Sequence, residues 1–291
     1  MTIKDEILAK VSTFPTLPMM VGKLLDVLDE KDADFRIIAE VIKYDPALTA
    51  NILKAANSSY VGLSKQVSSL TEASIRLGTR WIFKIALSSL INSALRRPAP
   101  GYDLSAEELW KHSIATALMS EILCDLLNIK DKGMIFTSAL LHDMGKIILG
   151  DFISDSFDNI LKLAENEQIP FEEAERRVVG IDHAELGGLI ADKWEFPKNI
   201  VDSITYHHNP DKAPSPTPAI DIVHISDALS LMGGWGIGRE GLHYHPSEGS
   251  IKRLSITNSI LETATSQLLD AIDEIETQFK EENNPKVLVR G

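Results

Sequence analysis

Histidine and aspartate carry the chemistry of this chain, by type and by spacing. His142 and Asp143 lie side by side in Leu141-His142-Asp143-Met144-Gly145-Lys146, where an apolar run ends in two metal-ligating side chains. His112 follows the acidic pair Glu107-Glu108, His183 stands at an expected helix start, His207 and His208 precede Asn209-Pro210, and Asp227 closes His224-Ile225-Ser226-Asp227. Imidazole nitrogen and carboxylate oxygen suit borderline divalent cations such as Fe, Mn, Zn, Ni or Co, and one aspartate can bridge two of them. Two ions about 3.5–4 Å apart can activate a water and clamp a phosphoryl oxygen. Five histidines and two aspartates supply enough ligands for such a pair, so the expected cofactor is a divalent metal, as two ions.

The elements that must position these residues read as helices. Helices are expected over about 105–127, 132–142, 152–168, 171–178, 183–194, 197–208 and 218–232. The first part of the chain reads as shorter helices between breakers, with Asp34 as a cap, apolar periodicity over 37–42 and 47–56, a stop at Asn57, and further runs over 70–77 and 81–95. The fold class is therefore all-α. Arg96-Arg97-Pro98-Ala99-Pro100-Gly101 cannot continue a helix, which divides the chain into 10–97, 102–232 and a remainder, 233–291, made of a glycine-rich loop and one amphipathic helix near 258–282. That last helix is expected to lie on its own domain, with a homodimer through it as the alternative.

Charge narrows the partners. With 29 Lys+Arg against 42 Asp+Glu the formal charge is −13, which disfavours nucleic-acid backbones and acidic membrane surfaces. A single cysteine, Cys124, excludes an internal disulfide and reads as a core residue. No apolar stretch approaches the roughly 18–20 residues of a membrane span, and MTIKDEILAK lacks a signal-peptide pattern, so the expected location is the cytoplasm.

The segment Leu141–Lys146 resembles the signature of the HD superfamily of metal-dependent phosphohydrolases. Upstream, Phe14-Pro15-Thr16-Leu17-Pro18, Asp45-Pro46-Ala47-Leu48, Ala56-Asn57-Ser58 and Ile75-Arg76-Leu77-Gly78 resemble the N-terminal hallmarks of the HDOD domain, a signalling relative, over roughly residues 10–232. The resemblance implies a bacterial-type signal-transduction protein with a protein partner. It also implies His112, His142, Asp143 and Asp227 as ligands of one metal, Asp143, His183, His207 and His208 as ligands of the other, and Lys146 as a phosphate contact. HDOD proteins often lose part of this set. Retention here keeps open a second reading, a working phosphohydrolase or phosphodiesterase in which Asp143 and Lys146 are catalytic and a phosphoester is the ligand. The loop that follows the paired histidines in HD-GYP phosphodiesterases is replaced by Asn209-Pro210-Asp211-Lys212-Ala213-Pro214, which argues against cyclic-di-GMP as substrate.

Each residue also has a simpler reading. Glu108 sits where some HD-GYP proteins place an extra ligand, but Ser105-Ala106-Glu107-Glu108 is a capping-box pattern, and the cap is preferred. His224, one turn before Asp227, matches no position of the family, and His243 and His245 fall in a loop; none is taken as a ligand.

Overall fold

The computed structural model describes residues 2–14, 49, 52–53, 67–78, 82, 86, 97–236 and 245–282, the stretch 273–282 as backbone. The expected helix over 37–42, most of that over 47–56, the cap at Asp34, the stop at Asn57, most of the run over 81–95, and His243 lie outside the described residues. The described residues contain no strand, and the chain is all-α. It separates into two compact units, one comprising 1–17 with 94–265 and the other 18–93 with 266–291.

The first unit holds α1 (Ile3–Thr13), α3 (Ala106–Leu126), α4 (Lys132–Leu141), α5 (Gly145–Ile153), α6 (Phe157–Glu167), α7 (Phe171–Val179), α8 (His183–Lys193), α9 (Lys198–Thr205), α10 (Pro218–Met232) and α11 (Glu248–Leu254). Of the second, α2 (Leu70–Leu77) is described, and α12 (Asn258–Glu282) runs from the first unit into the second. Ser69 caps α2, its hydroxyl accepting from the backbone N–H of Glu72 at 3.1 Å.

α10 is the centre of the first unit. From Ala219 to Leu231 every residue is buried, the apolar ones together with Asp221, His224 and Asp227, and α3, α4 and α9 pack around it. Burial of each of Ile220, Ile222, Val223 and Ile225 contributes about 1.5–3 kcal/mol. Thr217 caps α10 and Pro218 occupies its first turn, where a missing N–H is harmless. α8 starts at Asp182, whose Oδ1 accepts from the backbone N–H of Glu185 at 2.7 Å.

Two expected boundaries differ. The helix expected over 152–168 is α6, beginning at Phe157, and the unexpected α5 ends before it at Ile153, where the N–H of Ser156 donates to the carbonyl of Ile153 at 2.8 Å. Helical period could not locate α5, because Gly145 to Gly150 is buried on every side. Helix α9 ends at Thr205, so His207 and His208 stand in the turn after it. α1 and α11 were not expected; α1 buries only Ile7 and Val11, too few positions to show a period. Lys193 fastens α1, its Nζ donating to the carbonyls of Val11 and Ser12 at 2.7 Å each.

Candidate metal centre

The motif helix α4 stops at Leu141, and the chain turns through His142, Asp143 and Met144 before α5 begins at Gly145. That glycine is required by packing: a Cβ there would stand 2.0 Å from the carbonyl oxygen of His183. The close approach of α5 to α8 places Asp143 beside His183.

All seven residues expected as ligands converge on one buried region. On one side the Nε2 of His112 lies 3.0 Å from Asp227 Oδ1 and 3.2 Å from His142 Nε2. On the other side His183 Nε2 lies 2.7 Å from His208 Nε2, with the His207 ring 4.0 Å from that of His208. Asp143 stands between them. Its Oδ2 is 3.5 Å from the Nε2 atoms of His112 and His142, and its Oδ1 is 3.5 Å from His183 Nε2 and 3.9 Å from His207 Nε2. Ligands sharing one cation at bonds of about 2.1 Å are about 3.0–3.4 Å apart, depending on coordination number. The observed separations bracket that edge length. Two sets of ligand atoms fall within 4.8 Å of one another, Asp143/His183/His207/His208 and His112/His142/Asp227.

The tautomers follow from what surrounds each ring. Nδ1–H of His112 donates to the carbonyl of Trp235 at 3.1 Å, that of His142 to Ala139 at 2.7 Å, that of His207 to Ile204 at 2.7 Å, and that of His183 to Glu175 Oε2 at 2.7 Å. With Nδ1 committed to an oxygen, each ring turns Nε2 inward, the arrangement in which outer partners orient ligands. The Trp235 carbonyl reaches His112 because Gly236, at φ 67°, passes where a Cβ would stand 2.4 Å from the Cβ of His112.

Burial pushes the Asp143 carboxyl up, but Lys146 and then His142 outweigh it and hold it well below the carboxylate range; for Asp227, His112 and His142 do the same. Burial, then the neighbouring His142, pulls His207 down to about 3, and burial with His207 and His183 pulls His208 well down. Burial also opposes protonation of His183, yet the adjacent Glu175 raises it to about 9, while Asp143 and Asp227 raise His142. Asp143 Oδ1 and His207 Nε2 are buried with no hydrogen-bond partner. The donor set and these orphaned atoms fit divalent cations.

Lys146 is 4% exposed, with Nζ 2.8 Å from Asp143 Oδ2. Glu108 completes the capping box: its Oε2 accepts from the N–H of Ser105 at 2.8 Å and its own N–H donates to the Ser105 hydroxyl at 3.2 Å. Cys124 is buried, its thiol pushed up to about 12 by burial.

Several residues that shape the pocket were not singled out from sequence. Glu175 is fully buried on α7 and accepts from the Tyr102 hydroxyl, from His183 Nδ1–H and from the His183 N–H at 3.2 Å. A signal existed: Glu175 shares a helix face with Phe171 and Val179, an acid on an apolar stripe. His224 donates from Nδ1 to the carbonyl of His207 at 2.7 Å. Glu172 Oε1 accepts from the Asn209 side chain at 3.1 Å, and burial raises its carboxyl to about 7.

Comparison with known proteins fits this picture. An uncharacterized protein of Treponema pallidum (strain Nichols) is 24% identical over 208 residues, which cover 70% of this chain and 39% of that protein. Ribonuclease Y of Thermus thermophilus is 29% identical over 159 residues, 54% of this chain and 22% of the enzyme. The chain thus spans well under half the length of these curated relatives. Among solved structures, an HDOD domain protein from Geobacter sulfurreducens superposes with a TM-score of 0.74 at 24% identity, over 94% of this chain and 95% of the other. An inferred signal transduction protein from Marinobacter aquaeolei VT8 superposes at 0.69 with 17% identity, over 95% of this chain and 60% of that one. Among the described residues no helix is long and apolar enough to cross a membrane. The HDOD domain model matches residues 14–210, from the first hallmark through the paired histidines, and the chain belongs to the HDOD domain family.

Proposed function

We propose that this protein is a cytoplasmic HDOD signal-transduction regulator that binds two divalent cations through His112, His142, Asp143, Asp227, His183, His207 and His208. One observation carries the reading. Four imidazoles spend their Nδ1–H on oxygens and turn Nε2, with two carboxylates, into one buried region beside Lys146. A pocket so rich in acceptors is balanced by cations. Protein partners follow from the signalling role of the family, with α12 as the alternative surface for a second copy.

A second reading, hydrolysis of a phosphoester, is favoured by the buried Lys146 and by the likeness to Ribonuclease Y over 159 residues. Cations bound there would supply acidified water and Lewis acidity toward a phosphoryl oxygen. The chain's own part is electrostatic and positional: Lys146 Nζ neutralises phosphate charge, Asp143 holds that lysine, and Glu175 fixes the His183 ring.

The test is metal content by mass spectrometry after anaerobic purification, with turnover of bis(p-nitrophenyl) phosphate and cyclic dinucleotides beside it. Two equivalents in the natural chain and loss of metal in Asp143→Asn are expected. Absence of stoichiometric metal would refute the site. Turnover that Asp143→Asn abolishes would replace the regulatory reading by the hydrolytic one.

A further inference from the structure

Five of the seven proposed ligands are held by their own elements. His112, His183 and Asp227 lie within helices, while His142 and Asp143 occupy the tight turn in which the N–H of Met144 donates to the Leu141 carbonyl at 3.0 Å. His207 and His208 stand in the turn after α9, which the N–H of Asn209 closes locally by donating to the Tyr206 carbonyl at 2.9 Å. Other elements grip this turn as well.

His224 supplies the first grip. It is 6% exposed on α10, and both ring nitrogens face backbone atoms. Nδ1 is 2.7 Å from the carbonyl oxygen of His207, which only accepts, so Nδ1 carries the proton. Nε2 is 2.9 Å from the N–H of Ser247, which only donates, so Nε2 holds a lone pair. The ring is a rigid spacer between the two main-chain groups. Ser247 is in turn the N-cap of α11, its hydroxyl accepting from the N–H of Ser250 at 3.1 Å.

Arg253 supplies the second grip from the same helix α11. Its Nε and Nη2 donate to the two oxygens of the buried Asp221 at 2.8 and 2.6 Å, and its Nη1 donates to Asp211 Oδ1. Asp211 lies in the 3-10 turn Pro210–Lys212, three residues past His208. The segment 207–211 is thereby held at its first carbonyl by His224 and near its end by Arg253, and α11 stands behind both.

We infer that His224 is a positioning residue for the His207–His208 pair, fixing their main chain through the His207 carbonyl so that both rings face Asp143, with α11 holding His224 in place. This deepens the metal-binding reading and rests on it. The role predicts a local effect. Loss of the His224 donor should weaken the ion held by Asp143, His183, His207 and His208 and leave the ion held by His112, His142 and Asp227 nearly unchanged.

The test is a Co²⁺ titration of the full chain, read by visible d–d absorption, with metal content measured on the same samples. The natural chain is expected to take up two equivalents. In His224→Leu one equivalent should weaken about 10–100-fold, the usual effect of losing an outer partner, and the other should stay within about threefold. His224→Asn places an amide N–H where Nδ1–H stood and should keep both equivalents within about threefold; His224→Gln reaches toward Ser247 instead and should behave like the leucine variant. Both equivalents at natural affinity in His224→Leu would overturn the inference, and so would equal losses in the asparagine and glutamine variants. That second comparison also decides the matter if the leucine variant does not fold. A natural chain that binds no cobalt would overturn the metal reading itself, a result distinct from either.

Discussion

Replacing Arg253 by methionine should destabilise the metal-free protein by about 2–3 kcal/mol. The number follows from what the guanidinium leaves behind. Asp221 is 1% exposed and its two oxygens accept from Arg253 at 2.6 and 2.8 Å; without the arginine, Asp221 retains the Ser250 hydroxyl at 2.6 Å. Stripping one partner from a fully buried ion pair costs about 3–5 kcal/mol. Here the arginine side chain is 34% exposed, so water screens part of the loss and the lower figure applies. The contact to Asp211, itself 59% exposed, adds about 0–1 kcal/mol. Methionine keeps the apolar stem, which separates lost charge from lost packing. Urea unfolding of chelator-treated protein, followed by far-UV circular dichroism, measures the change. The cycle with Asp221→Asn should show a coupling of about 1.5–2 kcal/mol, because an amide left beside methionine is far less costly to bury than a carboxylate. A loss below about 0.5 kcal/mol, or an additive cycle, would refute the argument that this pair fastens α11.

Glu175→Gln keeps the shape of the acceptor that His183 uses but removes its charge, and should lower metal affinity about 10–100-fold in a competition titration; unchanged affinity would remove Glu175 from the centre. Glu172 titrates near 7, above the ordinary 4.5, so the stability it contributes is whole below pH 4.5 and is lost as pH rises through about 7. Glu172→Gln should therefore be more stable than the natural metal-free chain by on the order of 3 kcal/mol at pH 8 and nearly equal to it at pH 4, and a gap independent of pH would contradict this. Glu108→Ala should cost about 1 kcal/mol through loss of the capping box while both metal equivalents remain; loss of metal would make Glu108 a ligand after all.

What the sequence disclosed follows from where each signal resides. Metal ligands are restricted to few residue types, so His142-Asp143 and His207-His208 were visible as residues. The start of α3 was visible because the Ser105–Glu108 capping box is a local feature. Helix α5 was not, since burial on every side erases the period that betrays a half-exposed helix. His224 was passed over for a different reason. Its partners are backbone atoms 17 residues before it and 23 after it, and a backbone group has no identity in sequence. The Trp235 carbonyl that orients His112 is hidden in the same way, 123 residues from its partner.

Retained ligands do not by themselves decide between regulation and hydrolysis. The metal-free centre gathers two buried carboxylates and five imidazoles from α3, the α4–α5 turn, α8, the turn after α9, and α10, all in one unit. Orphaned atoms there carry desolvation penalties of about 1–3 kcal/mol each, so the proposed cations would stabilise the fold whether or not anything is hydrolysed. Lys146 is the informative residue. In the proposed two-metal centre a site kept only for stability would have no need of it, because a third cation would repel both ions and lose its own hydration at 4% exposure. Its ion pair with Asp143 offsets that penalty in the metal-free protein. If cations take the Asp143 oxygens, as the proposed function has it, a phosphoester beside Lys146 would compensate the lysine charge, in ligand binding under the regulatory reading and in hydrolysis under the other.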